Sequence, residues 1–309
     1  MLRQALLAAA RSGHIKTAVT AAPLSRNVVE RFVAGETIDD ALNVAQALHD
    51  QGMLVTLDHL GEDTHDADQA DTVTRASIAS VERLFESGLA KSADISVKPT
   101  ALGLKLGADG PKIARDNVAR VASAAKAAGC TVSVDMEDHT TTAETLRLVR
   151  ELRSDYPDLG AVVQCYLRRT EADCGDLTKP GSRVRLVKGA YNEPEAVAYR
   201  ASDEVDRSFV RCLRTLMAGE GYPMIATHDP RLIEIAGALA LLNGRSNESF
   251  EYQMLYGIRP DEQRRLAGQG AKVRVYVPYG DDWYGYLMRR LAERPANLGF
   301  FLRSLVTKS

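Results

Sequence analysis

The sequence is short of cysteine, of any charge excess and of long apolar runs, and each shortage excludes something. Only four cysteines stand among 309 residues: Cys130, Cys165, Cys174 and Cys212. No two are spaced Cys-x-x-Cys. In a chain this long, that argues against a disulfide framework and for buried thiols of a cytosolic protein. Lys and Arg number 39 against 41 Asp and Glu, a formal net charge of −2. A nucleic-acid binder would carry a basic excess, so nucleic acid is not an expected partner. No run free of charged residues exceeds about ten, half of the ~20 that would span a bilayer. Residues 1–10 hold one Arg and an apolar run too short for a secretory signal, and are expected as a first helix. Low-complexity segments and solenoid repeats are missing too.

What is present is ordinary globular material, 45% apolar and 26% charged. The length suits about two domains, or one α/β barrel of roughly 250 residues with an addition. At this size a chain can bury about 75% of its unfolded surface.

A rhythm runs along the chain. Short β-branched runs fall at 53–58, 94–98, 131–135, 161–166, 183–188, 224–227, 250–254 and 272–277. Helical spacing falls between and after them, at 69–87, 112–128, 142–155, 195–217, 230–242, 261–268 and 281–294, with a short candidate in 168–181. Stops are chemical: Gly129 as a C-cap, Pro157, Gly219 with Gly221, Asn243-Gly244 and Pro295. Strands separated by helices imply parallel βαβ units. Eight of them predict a closed (βα)8, or TIM, barrel, with an open doubly wound sheet as the alternative. No Gly-x-Gly-x-x-Gly follows the first strand, which weakens a Rossmann reading. Residues 26–34 and 39–50 are expected as extra helices. The chain divides into N-terminal helices over 1–50 and a catalytic barrel over 51–309.

Catalytic groups of a barrel sit where strands end, at the C-terminal mouth. The strand ends here carry Asp58, Lys98, Asp135, Gln164, Lys188, Thr227-His228, Gln253 and Tyr276. Any one could be a solvated end. Eight converging on one mouth suit a binding cavity. Arg185 is different, because alternation puts it mid-strand on one face with Arg183 and Val187. A barrel strand is buried on both faces, so this Arg needs an anionic or polar partner. The partner is either a structural carboxylate such as Asp135 or a bound group.

The run Asp135-Met136-Glu137-Asp138-His139 has metal-ligand chemistry, and His59 with Asp58 could join it. Five consecutive residues cannot all face one ion, and the first strand has no His-x-His pair. Glu137, Asp138 and Thr140–Thr142 are expected to start and cap the next helix. No metal is assigned. In the last helix Tyr284, Leu287, Met288 and Leu291 form an apolar stripe, with Tyr286, Arg289, Arg290 and Glu293 nearly opposite. That second face is either plainly solvated or turned onto the mouth, where paired guanidinium groups would suit a carboxylate.

Several segments resemble the proline dehydrogenase family, the flavin enzymes of proline catabolism. They are Ser96-Val97-Lys98-Pro99, Val134-Asp135-Met136-Glu137, Val162-Val163-Gln164-Cys165-Tyr166, Ala226-Thr227-His228, Val275-Tyr276-Val277-Pro278 and the stretch from Phe250 to Gly257. Most specific are Arg185-Leu186-Val187-Lys188-Gly189-Ala190-Tyr191 and Tyr286-Leu287-Met288-Arg289-Arg290-Leu291-Ala292-Glu293. They run in family order from about residue 50 to the end, and the size suits the short bacterial form with no fused aldehyde dehydrogenase.

The resemblance implies a distorted (βα)8 barrel with the last helix above its mouth and FAD at that mouth. It implies oxidation of L-proline to Δ1-pyrroline-5-carboxylate, with electrons passing to FAD and on to a membrane quinone. Arg289, Arg290 and Lys98 would hold the substrate carboxylate. Arg185 would sit near the flavin N5 side, and Asp135 would position Lys98 and Tyr286. Tyr191, Leu255, Tyr276 and Tyr286 would wall the ring, and Glu293 would hold one arginine. Met136, Gln164, Lys188, Gly189, Ala190, Thr227 and His228 match cofactor-contacting positions, with Gly189 letting backbone approach the cofactor. A separate pyrroline-5-carboxylate dehydrogenase is a further partner the resemblance implies. The expected location is cytoplasmic, at the inner face of the membrane. Asn192 departs from the family's frequent Trp, and 57–62 matches only approximately.

Other readings remain. Tyr276 would crowd a ring hydroxyl, which makes hydroxyproline the lesser substrate. A barrel aldolase or lyase could use Lys98 or Lys188 as a Schiff base. A non-catalytic binding barrel and a metal-dependent hydrolase complete the set.

Overall fold

The computed structural model describes residues 31–61 and 64–287. Helix α1 (Ile38–His49) starts at Thr37, whose side chain accepts from Asp40 N–H while Asp40 reaches back to the Thr37 N–H, a capping box. Then come β1 (Leu54–His59), α2 (Ala67–Glu86), β2 (Ala93–Val97), α3 (Gly110–Ala128), β3 (Thr131–Val134), α4 (Thr142–Leu152), β4 (Gly160–Gln164) and α5 (Thr170–Asp176). They are followed by β5 (Arg183–Val187), α6 (Ser202–Ala218), β6 (Tyr222–Ala226), α7 (Pro230–Leu242), β7 (Glu251–Leu255), α8 (Pro260–Gly268) and β8 (Val273–Tyr279). Residues 283–287 begin one more helix.

Each strand pairs in parallel with the next, and β1 pairs with β8, so the sheet closes in chain order. This is the expected TIM barrel. Its outward strand residues, including Val55, Leu57, Ile95, Val97, Val163, Leu186, Val275 and Val277, form one core with the inner faces of the helices. Gly129 ends α3 at φ 78, the left-handed C-cap the sequence predicts.

Three local expectations are corrected. The described part of the expected 26–34 helix, 31–34, is turn and bend, because the Ala34 N–H bonds the Pro278 carbonyl at 2.9 Å and lays the chain on β8. Residues 195–201 are not helical. They follow Pro194 and are held to the segment after β4, with Arg168 N–H to Val197 O at 2.9 Å and Tyr199 N–H to Tyr166 O at 2.7 Å. The third concerns Glu137, which caps nothing: both its oxygens accept from Thr100, one of them from the backbone N–H at 2.9 Å.

The larger surprise is inside the barrel. Apart from Arg185 and Arg183 on β5, the sequence reading expects polar residues at strand ends, yet charge from β2, β7 and β8 also reaches the base. Asp94 on β2 accepts from Arg183 at 3.1 Å and from Arg185 at 3.2 Å, both on β5. Bonds between strands three apart must cross the interior. Arg274 on β8 pairs with Glu251 on β7 at 2.7 Å, and Glu251 also accepts from Gln253 at 2.5 Å and Tyr222 at 3.1 Å. Three arginines thus face Asp94, Glu251 and Asp135, a balance that lets buried charge persist.

Candidate active site

Above this charged floor a cavity of about 680 Å³ opens among the C-terminal strand ends. From β2 and β3 come Lys98, Asp135 and Met136. β4 and β5 add Gln164, Arg185, Lys188, Gly189, Ala190 and Tyr191, β6 adds Thr227 and His228, and Leu255 and Tyr276 complete the ring. Tyr286, from the turn beginning at 283, reaches it as well. Every expected site residue among the described ones borders this cavity. Arg289, Arg290 and Glu293 lie outside the described residues.

Arg185 is held from all sides. Its Nε–H donates to Gln253 at 2.6 Å, Nη1 to Asp135 at 2.7 Å and Ser96 at 3.3 Å, and Nη2 to Asp94 at 3.2 Å. The guanidinium also lies over the Tyr276 ring, 5.2 Å from its centre. It is therefore ion-paired, with Asp135 among its partners, and it also borders the cavity. Among the described residues the second hydrogen of Nη2 has no acceptor.

Asp135 uses both oxygens. One accepts from Arg185 and the other from the Tyr276 hydroxyl at 2.8 Å. Burial pushes the Tyr276 phenol well up, helped by Asp135 and Asp58, so it stays a donor. Lys98 pairs with Asp58. Burial pushes the Asp58 carboxyl up and Asp135 adds to this, while Lys98 opposes it. Asp58 also borders the cavity; the sequence reading placed it at a strand end and weighed it only as a metal ligand. Its signal was there, since Thr56 and Asp58 share the inward register of β1.

Lys188 reaches Asp206 on α6 at 2.6 Å and Asp229 at 3.5 Å, at the rim. Arg231 and Lys188 hold the Asp229 carboxyl down at about 2, mainly through the Arg231 hydrogen bonds. The His228 ring accepts at Nε2 from the Leu255 N–H at 2.9 Å, which fixes it as an acceptor there. Gly189 has φ 113, and a Cβ there would come within 2.3 Å of the Tyr166 ring. The glycine is thus required by Tyr166 packing as well as by its place on the cavity. The run 135–139 disperses: Asp135 to Arg185, Glu137 to Thr100, Asp138 to Thr140 and Lys105, His139 to Glu193.

With this geometry in place, known proteins can be compared. A sequence profile described as Proline dehydrogenase matches residues 41–303. The chain belongs to the proline dehydrogenase family. It is 37% identical to Proline dehydrogenase 2 of Bacillus subtilis over 92% of each chain. It is equally 37% identical to Proline dehydrogenase of Deinococcus radiodurans, over 91% of this chain and 90% of that one. A solved structure of proline utilization A (PutA) from Bdellovibrio bacteriovorus, inactivated by N-propargylglycine, superposes with a TM-score of 0.82 at 26% identity. That match covers 92% of this chain and 34% of the longer one. Family membership makes the protein an oxidoreductase of proline catabolism and implies a flavin.

Proposed function

We propose that the protein oxidises L-proline to Δ1-pyrroline-5-carboxylate with FAD bound at the barrel mouth, passing the electrons to a membrane quinone. One observation carries the reading: a single cavity gathers Lys98, Asp135, Arg185, Tyr191, Tyr276 and Tyr286 above a fixed, charge-balanced floor. The residues also fit a flavin. Arg185 keeps one N–H for a bound group, and the Gly189-Ala190 backbone borders the cavity beside Lys188, Gln164, Thr227 and His228.

FAD, when bound, would supply the two-electron acceptor for oxidation at the carbon next to the proline nitrogen. The chain does the rest. Lys98, with Arg289 and Arg290, holds the carboxylate and so orients the ring. Arg185 offsets the negative charge that arrives with the electrons, and Asp135 with Gln253 keeps that guanidinium aimed. Tyr191, Leu255, Tyr276 and Tyr286 wall the ring and exclude water, with Tyr276 disfavouring a ring hydroxyl. Glu293 steadies one arginine. The amine proton goes to solvent. A Schiff-base aldolase is disfavoured, because a neutral lysine is needed and both Lys98 and Lys188 are ion-paired.

A quinone acceptor brings the protein to the cytoplasmic face of a membrane, and a separate pyrroline-5-carboxylate dehydrogenase takes the product. The test is proline-dependent reduction of a soluble ubiquinone analogue across pH. The neutral amine is the reactive form, so the rate rises with pH. A flat profile from mildly acidic to alkaline pH would contradict the mechanism, and a flavin that proline reduces but quinone does not reoxidise would remove the acceptor.

A further inference from the structure

Three loops at the mouth meet on one carboxylate that the mechanism above does not use. Glu193 lies in the loop after β5 and is only 4% exposed. Its Oε1 accepts the His139 backbone N–H at 3.0 Å, from the loop after β3, and the Tyr166 hydroxyl at 3.3 Å, from the loop after β4. Its Oε2 meets His139 Nδ1. The Tyr191 side chain packs against the cluster of Tyr166, Leu167 and Ala198, and the Tyr166 ring fills the space beside Gly189. Burial, with Glu193 beside it, pushes the Tyr166 phenol up, so it remains protonated and donating.

These contacts form a relay: Tyr191 packs against the Tyr166 cluster, the Tyr166 O–H donates to Glu193, and Glu193 is fixed by His139. We propose that Glu193, acting through Tyr166, is a positioning residue that sets where Tyr191 stands against the substrate ring. The inference rests on the reading of Tyr191 as a wall of the proline site. Neither Glu193 nor Tyr166 lines the cavity, so the pair bears on it through the Gly189–Tyr191 segment.

The test compares Tyr166→Phe, Glu193→Ala, Glu193→Gln and Tyr191→Ala in steady-state kinetics, with the melting temperature of each. Tyr166→Phe keeps the ring against Gly189 and removes only the hydroxyl. Loss of one such hydrogen bond predicts a proline KM raised about five- to tenfold, with kcat within about twofold of wild type. Glu193→Ala should do the same. Glu193→Gln keeps an oxygen for His139 and Tyr166 and restores KM to within about twofold. A purely structural role would lower the melting temperature without splitting KM from kcat, and the amide would rescue nothing. Should Glu193→Ala fail to fold, Tyr166→Phe carries the test. If Tyr191→Ala raises KM while Tyr166→Phe and Glu193→Ala leave it unchanged, the relay is overturned and the wall stands. If Tyr191→Ala itself leaves KM unchanged, the wall reading fails and this inference falls with it.

Discussion

Asp94 is fully buried, and burial works to protonate it. Arg183, Arg274 and Arg185 outweigh that penalty and hold its carboxyl down at about 2, from an ordinary 3.8. The depressed folded value gives stability that is present above the unfolded value and lost as pH falls toward 2. Asp94→Asn removes this charge and leaves two arginines short of a partner, so it should cost about 3–5 kcal/mol at pH 7. The gap from wild type should narrow by on the order of 2 kcal/mol as pH falls from about 4 to about 2. Denaturant unfolding across that range measures it, and a gap independent of pH would mean Asp94 carries no such charge. Alternation along 183–188 placed Arg183 and Arg185 on one face. It could not name Asp94, because the bond from Arg183 spans 89 residues of sequence and appears only when the barrel closes.

Among the elements, strands were the most legible, because buried parallel strands read as compact β-branched runs. The β5 strand lies at Arg183–Val187, inside the expected 183–188. The loop after it was not legible. Residues 195–201 have helical spacing, but their backbone bonds go sideways to the β4 loop, a tertiary contact that overrides local pattern. The last helix divides the same way. Tyr284 and Leu287 are buried on the apolar stripe, while Tyr286, from the opposite face, borders the cavity. Arg289 and Arg290 lie outside the described residues, and the proposal gives them the proline carboxylate. Arg289→Met and Arg290→Met should each raise the proline KM on the order of ten- to hundredfold, at ~1.5–3 kcal/mol for a charged hydrogen bond, with the flavin retained. An unchanged KM in both would remove the carboxylate assignment.

At the scale of the whole molecule, barrel closure turns eight separate strand ends into one mouth. The sequence supplied the ends, and the resemblance supplied their roles. What neither supplied was the floor, where Arg274, Glu251, Gln253 and Arg185 are linked from base to mouth. Among the described residues no helix is long and apolar enough to cross a membrane. On the proposed function, this mouth holds a flavin that proline reduces. An absorbance spectrum of the purified protein, before and after anaerobic L-proline, tests it most directly. The account predicts a flavin band that bleaches on proline addition. A flavin band indifferent to proline would contradict the substrate, and a colourless protein that FAD cannot reconstitute would contradict the whole reading.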